Sequence, residues 1–157
     1  MITAGQKLKT NFKLKIVRDG AQSEVVFKDL LTRPTIVSVY MRNNTGSCDK
    51  QNDSLAEHAA EFDQLGYNLV AVSRDTCGSH LKYAAKKEIT YTLASDPDDL
   101  FAKATGSIIE KSMYGKIFEG PARAAYVIDI DGTVLAVVGK VDTKDHAAQL
   151  KAVLASL

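Results

Sequence analysis

The sequence predicts an α/β fold on a mixed sheet, and three observations predict it. Apolar, β-branched runs of strand length alternate with stretches whose apolar residues recur at helical spacing, the order that produces parallel βαβ units. Paired segments joined by turn residues stand near both ends and add antiparallel strands. The chain has 157 residues, 45% apolar and 25% charged, the composition of one globular domain over residues 1–157. Such a length buries a core without disulfide or metal staples.

Taken in order, Phe12-Lys13-Leu14-Lys15-Ile16 alternates apolar and polar as a half-buried strand does. Arg18-Asp19-Gly20-Ala21 turns, and Glu24-Val25-Val26-Phe27 returns as the second strand of a hairpin. Asp29-Leu30-Leu31 connects to Pro34, after which Thr35-Ile36-Val37-Ser38-Val39-Tyr40 is apolar enough for a central strand. From 48 to 65, Leu55, Ala59, Phe62 and Leu65 share a helical face, and Gly66 is its left-handed stop. Asn68-Leu69-Val70-Ala71-Val72-Ser73 is another buried strand. Asp75 or Thr76 caps a helix over 77–87 whose inner face carries Leu81 and Ala84. Thr92-Leu93-Ala94 is a short strand leading into Ser95-Asp96-Pro97, a capped helix start with proline in its first turn. That helix stops near Gly106, and residues 107–121, with little periodicity, read as an irregular excursion. Residues 124–128 and 133–138 flank Asp129-Ile130-Asp131-Gly132 as a hairpin, and a helix over 143–156 buries Ala147, Leu150, Val153 and Leu154. This is the element order of a thioredoxin-like fold with an N-terminal hairpin and an inserted segment. Order alone leaves flavodoxin-like folds open.

Twenty basic residues against nineteen acidic give a formal charge of +1, which provides no electrostatic case for nucleic acid or an anionic membrane. No apolar run approaches the roughly 20 residues that span a bilayer. The first ten residues lack the basic-then-apolar order of a signal peptide, so a cytoplasmic location is expected. The two cysteines, Cys48 and Cys77, are too few for a disulfide scaffold.

Cys48 carries the strongest local signal. It follows the apolar run 35–40 and sits at the first turn of the next helix, where unpaired backbone N–H groups favour thiolate over thiol. Its neighbours from Asn43 to Gln51 are polar or small, which argues against a buried filler. Other signals are weaker. Cys77-Gly78-Ser79-His80 offers a thiol and an imidazole but no second pair to complete a zinc site, so no metal is expected. His58 and His146 lie on predicted helices and read as solvated histidines. Asp129-Ile130-Asp131-Gly132 lacks the glutamate of a calcium loop and reads as a β-turn. No P-loop or G-x-G-x-x-G occurs, and no cofactor is implied.

Tyr40-Met41-Arg42-Asn43-Asn44-Thr45-Gly46-Ser47-Cys48 resembles the peroxidatic loop of peroxiredoxins, P-x-x-x-T/S-x-x-C. Thr45 and Cys48 match, while Met41 stands in place of the proline. Arg123-Ala124-Ala125-Tyr126-Val127-Ile128-Asp129 is similar to the family's arginine and following strand. Ser95-Asp96-Pro97 and Met113-Tyr114-Gly115-Lys116 resemble segments of the bacterioferritin comigratory protein (peroxiredoxin Q) branch. The resemblance runs from about residue 5 to the C-terminus.

The resemblance implies a peroxidase that reduces hydrogen peroxide and organic hydroperoxides. Cys48 thiolate attacks the terminal oxygen and becomes a sulfenic acid. Thr45 binds the peroxide through its hydroxyl, and Arg123 holds the thiolate and stabilises charge on the oxygens. Met41 in place of proline leaves the loop less constrained. Many members of this branch carry a second cysteine five positions on, but here that position is Asp53. The remaining resolving candidate is Cys77, 29 residues later at the next helix start and at the same sheet edge. The two would meet only after unwinding, since a disulfide needs Cα atoms within about 7 Å. Alternatively Cys77 is a spectator and an external thiol resolves Cys48. Thioredoxin or a similar dithiol protein is the implied reductant, and a monomer is expected. Two rivals share the fold: a thiol–disulfide oxidoreductase, disfavoured because Gln51 and Thr45 stand where a Cys-x-x-Cys partner would be, and a non-catalytic redox sensor.

Overall fold

The structure, a computed structural model, describes residues 1–157 apart from the side chain of Met113. A seven-stranded mixed sheet forms its centre. In chain order its strands are β1 (Lys13–Arg18), β2 (Ala21–Val26), β3 (Thr35–Val39), β4 (Asn68–Ser73), β5 (Thr92–Ser95), β8 (Ala125–Ile128) and β9 (Val134–Val138). They lie side by side as β2-β1-β5-β4-β3-β8-β9. The β3–β4 and β4–β5 pairs are parallel and the other four antiparallel. The parallel pairs follow from the crossover helices α1 (Gly46–Gln64) and α2 (Cys77–Lys87), because only a long connection returns a strand in the same direction. One consequence is that α1 and α2 both start at the same edge of the sheet, beyond the ends of β3 and β4.

Strand β3 is buried at every position, as its β-branched run requires. Its side chains alternate between two apolar clusters, Ile36 and Tyr40 on one face and Val37 and Val39 on the other. Helices α1, α2 and α4 (His146–Ala155) cover the first face with Leu55, Phe62, Tyr83, Leu150 and Leu154. On the second face Leu8, Phe27 and Phe101 of α3 (Leu100–Thr105) do the same. Ser38 interrupts the apolar row between Ile36 and Tyr40, and it is fully buried.

Three expectations are corrected. Residues 107–121 are not irregular: β6 (Ile108–Met113) pairs antiparallel with β7 (Lys116–Pro121) as a separate hairpin. Most of it is exposed on both faces, so no buried side imposes an alternating pattern. The available signal was the turn, where Tyr114 and Gly115 both have positive φ, as a two-residue hairpin loop demands. The helix at Pro97 starts later than expected. Asp99 holds the N-cap position, while the Asp96 carboxylate accepts from the N–H groups of Leu100 (2.8 Å) and Phe101 (2.9 Å) from three residues further back, and Pro97 precedes the helix, which begins at Leu100. On α2 the buried face is Cys77, His80 and Tyr83, with Leu81 and Ala84 only partly covered. Thr76 caps it, accepting from Ser79 N–H at 3.2 Å.

Candidate active site

The chain leaves β3 at Tyr40 and reaches α1 through an exposed loop, with Thr45 extended at the N-cap position. Two carboxylates hold the loop from outside. Asp75 accepts from Asn43 N–H at 2.9 Å and Asp49 accepts from Asn44 N–H at 3.1 Å. Cys48, one turn into this polar segment, is nevertheless only 1% exposed, which corrects the inference drawn from its neighbours. Its side chain packs into the cluster of Tyr40 and Leu55 while the residues around it face solvent. Polarity along the chain does not report the direction of one side chain.

Arg123 reaches this sulfur from the segment between β7 and β8. Its Nη2 donates to Cys48 Sγ at 3.2 Å and to Ser47 Oγ at 3.4 Å, and its Nη1 donates to Gln51 Oε1 at 2.6 Å. Burial works against a thiolate at Cys48, yet the thiol is held below its ordinary range. The Thr45 hydroxyl, the backbone N–H groups of Arg42 and Met41, and the Arg123 charge together outweigh the burial. In the structure the Thr45 hydroxyl donates to the Arg42 carbonyl at 2.8 Å, within the same turn that carries it beside the sulfur. The fold therefore brings Cys48, Thr45 and Arg123 together.

Gln51 completes this group and was not foreseen. In sequence it served only to exclude a Cys-x-x-Cys pair, although three residues after Cys48 on a helix places it on the same face. It is fully buried. Its amide N–H donates to Ser38 Oγ at 2.8 Å and to the Val39 carbonyl at 3.3 Å. His146 is likewise corrected: it is fully buried at the start of α4, with Nε2 3.0 Å from Ser38 Oγ. His80 is fully buried too, with Nε2 beside the Ala94 carbonyl at 3.1 Å. His58 lies near the surface beside Glu61 at 2.8 Å.

Cys77 is not brought to this group. Both cysteines are free thiols. Cys77 lines a cleft of about 390 Å³ with Lys13, Lys15 and Glu24 on the β1–β2 side, and burial pushes its thiol up despite Lys15. A polar and aromatic layer ties α1 and its loop to α2. Tyr40 Oη donates to Asn43 at 2.5 Å, Asn43 Nδ2 donates to Ser79 Oγ at 3.1 Å, and Tyr83 Oη donates to Asp49 at 2.7 Å. Nearby, Tyr91 Oη donates to Asn52 at 3.1 Å.

Beside the site a cleft of about 740 Å³ opens between the loop and the β6–β7 hairpin, lined by Met41, Arg42, Arg74, Lys111, Phe118 and Pro121. The Lys111 ammonium touches the Met41 thioether. Among the described residues no group of three metal-ligating side chains occurs, and no helix is long and apolar enough to cross a membrane.

Comparison with known proteins agrees with this geometry. The model of the AhpC/TSA family matches residues 4–137. Peroxiredoxin Bcp of Xanthomonas campestris is 33% identical over 122 residues, 78% of this chain and 74% of that protein. Peroxiredoxin Bcp of Escherichia coli is 29% identical over 82% of this chain and 81% of that one. Among solved structures, peroxiredoxin Q of Xanthomonas campestris superposes with a TM-score of 0.86 at 26% identity, covering 98% of this chain and 97% of that one.

Proposed function

The chain belongs to the AhpC/TSA family and is a thiol-dependent peroxidase, and on that premise we propose that Cys48 is the sulfur that meets the peroxide. The observation that carries this reading is the Arg123 Nη2 contact with Cys48 Sγ at 3.2 Å, beside the Thr45 hydroxyl. The Cys48 sulfur lone pair attacks the terminal oxygen of ROOH and the O–O bond breaks. Sulfur is oxidised by two electrons to sulfenic acid, and RO⁻ leaves and takes up a proton as ROH. Thr45 and Arg123 bind the two oxygens. Arg123 serves the transition state because it is always charged and Gln51 holds it in place.

In the same proposal Cys77 resolves the sulfenic acid: its thiolate attacks Cys48 sulfur, the S–O bond breaks, hydroxide leaves and takes up the proton the Cys77 thiol gave up to become water, and an intramolecular disulfide forms. The first turns of α1 and α2 unwind to allow it, and exposure then relieves the burial that holds the Cys77 thiol up. Thioredoxin or a similar dithiol protein reduces the bond by exchange, consistent with a single-domain monomer in the cytoplasm. A second reading has its own support. Cys77 lines the cleft beside Lys13, Lys15 and Glu24, which Arg123 and Cys48 do not line, and that placement favours a one-cysteine cycle in which an external thiol resolves Cys48.

Stopped-flow consumption of hydrogen peroxide and an alkyl hydroperoxide by the reduced protein tests the reading. Fast oxidation that continues with thioredoxin and vanishes in Cys48→Ser supports it. Slow stoichiometric oxidation without turnover would identify a sensor instead. After one equivalent of peroxide, non-reducing mass spectrometry showing a Cys48–Cys77 bond supports resolution by Cys77. A lasting sulfenic acid with free Cys77 selects the external thiol.

A further inference from the structure

We propose that His146 is a positioning residue of the peroxide site: through Ser38 and Gln51 it fixes the Arg123 side chain that grips Cys48. The inference rests on the assignment of Arg123 and Cys48 to that site.

The direction of every hydrogen bond in this chain follows from its far end. Gln149 Nε2 donates to the Lys140 carbonyl at 2.8 Å, so its Oε1 faces the Asp142 N–H at 2.9 Å and His146 Nδ1 at 3.1 Å. An acceptor at that place requires the proton on Nδ1. In the neutral ring Nε2 then carries a lone pair, and Ser38 Oγ, 3.0 Å away, donates to it. With its proton committed, Ser38 Oγ accepts from Gln51 Nε2 at 2.8 Å. The Gln51 amide is thereby oriented with Oε1 toward Arg123 Nη1, at 2.6 Å. The other arm of Arg123 lies on the Cys48 sulfur.

The Val39 carbonyl, which only accepts, already favours this amide orientation through a long bond of 3.3 Å, and His146 reinforces it by fixing the shorter Ser38 bond. A hydroxyl both donates and accepts, so without an acceptor at Nε2 Ser38 can donate to the Gln51 carbonyl oxygen instead. The amide then flips and presents its NH₂ to the guanidinium, a donor against a donor. Ser38, Gln51 and His146 are all fully buried, so water does not supply the missing partner. Burial also holds His146 below its ordinary range, with the Arg123 charge adding to it against Gln149 and Asp142, so the ring stays neutral.

The test combines two readouts on the reduced, full-length protein: the pH midpoint of iodoacetamide labelling at Cys48, read by peptide mass spectrometry, and the rate of hydrogen peroxide consumption. His146→Phe, which fills the space without an acceptor, raises the labelling midpoint by about half a unit or more and slows consumption about tenfold. His146→Gln, which keeps an acceptor near Nε2, restores both to within about twofold. Gln149→Leu, half-buried at the surface, frees the tautomer and moves both readouts in the same direction by about twofold. The double variant His146→Phe with Gln51→Leu is no slower than Gln51→Leu alone. A folded His146→Phe with the original midpoint overturns the proposal, as does equal impairment in His146→Phe and His146→Gln. Should His146→Phe fail to fold, an unchanged midpoint in Gln149→Leu overturns it. Labelling needs no peroxide, so a protein inert to peroxide whose midpoint still follows His146 would refute the peroxidase assignment and not this coupling.

Discussion

Cys48, third residue of α1, and Cys77, first residue of α2, sit in the first turns of successive crossover helices, yet their thiols are shifted in opposite directions. Both sit in the first turn of a helix at the same sheet edge, and both are buried. The helix terminus is common to the two, so it does not decide. Its field is worth about 0.3–1 kcal/mol, less than the 1.36 kcal/mol of one pKa unit. What differs is the side of the sulfur away from the helix. Cys48 has a hydroxyl, two backbone N–H groups and a guanidinium, whereas Cys77 has Lys15 at a distance. Hydrogen bonds to a charged group are worth about 1.5–3 kcal/mol, enough to overturn the cost of burial.

The strongest way to break the comparison is to exchange the two roles. Cys48→Ser is expected to reduce peroxide consumption by more than about a thousandfold. Cys77→Ser leaves the first oxidation of Cys48 unchanged and stops only the thioredoxin-linked cycle. Loss of the first oxidation in Cys77→Ser would give Cys77 the role assigned here to Cys48. Next in size, Arg123→Ala lowers the second-order rate about a hundredfold, the scale of removing one transition-state donor. Arg123→Lys recovers little of it, because an ammonium does not span Gln51 and Cys48 as a planar fork does. A lysine variant near the original rate would show that charge alone suffices.

Alkylation kinetics sharpen the contrast without any peroxide. At pH 7 Cys48 is expected to label at least about tenfold faster than Cys77. The sign follows from the shifts: labelling of Cys48 rises through a midpoint below that of an ordinary thiol, and labelling of Cys77 through one above it. By linkage, the stabilisation from Cys48 ionisation is fully present above the unfolded thiol pKa and is lost as pH falls through the lowered folded value. Equal midpoints would remove the distinction.

Smaller effects come from the layer between the helices. Tyr83→Phe deletes the bond to Asp49 and is expected to cost about 1 kcal/mol, a fall in Tm of a few degrees. On the two-cysteine route it also speeds disulfide formation after peroxide. A slower disulfide would mean the layer guides the cysteines together. Met41→Pro has the smallest effect, within about threefold, because it stiffens the loop and removes an N–H that favours the Cys48 thiolate. A gain beyond tenfold would show that loop rigidity limits the rate.

Cys48 was legible from its place at a helix start, whereas Thr45 and Arg123 joined it only through the resemblance to the peroxiredoxin loop and arginine strand, since alone they read as a helix cap and a surface cation. The alternation of strands and helices was legible because burial writes itself into local periodicity. The β6–β7 hairpin was not, because Ile109, Ile117 and Phe118 face solvent there and no buried face orders the pattern. Gln51 and His146 were not legible either. A polar side chain on a helix looks solvated until the partner that justifies its burial is known, and Ser38, 108 residues before His146, is that partner. The burial of Cys48 belongs with these, since it depends on where Tyr40 and Leu55 stand.

The tyrosine layer also measures time. On the two-cysteine route the sulfenic acid waits until α1 and α2 open, and each bond of about 1 kcal/mol that holds them lengthens the wait about fivefold. During that wait a second peroxide competes for the same sulfur and carries it to sulfinic acid, which simple thiols do not reverse. On that route Tyr83, Asn43 and Asp49, which hold the helices and not the peroxide, would set the peroxide concentration at which overoxidation begins.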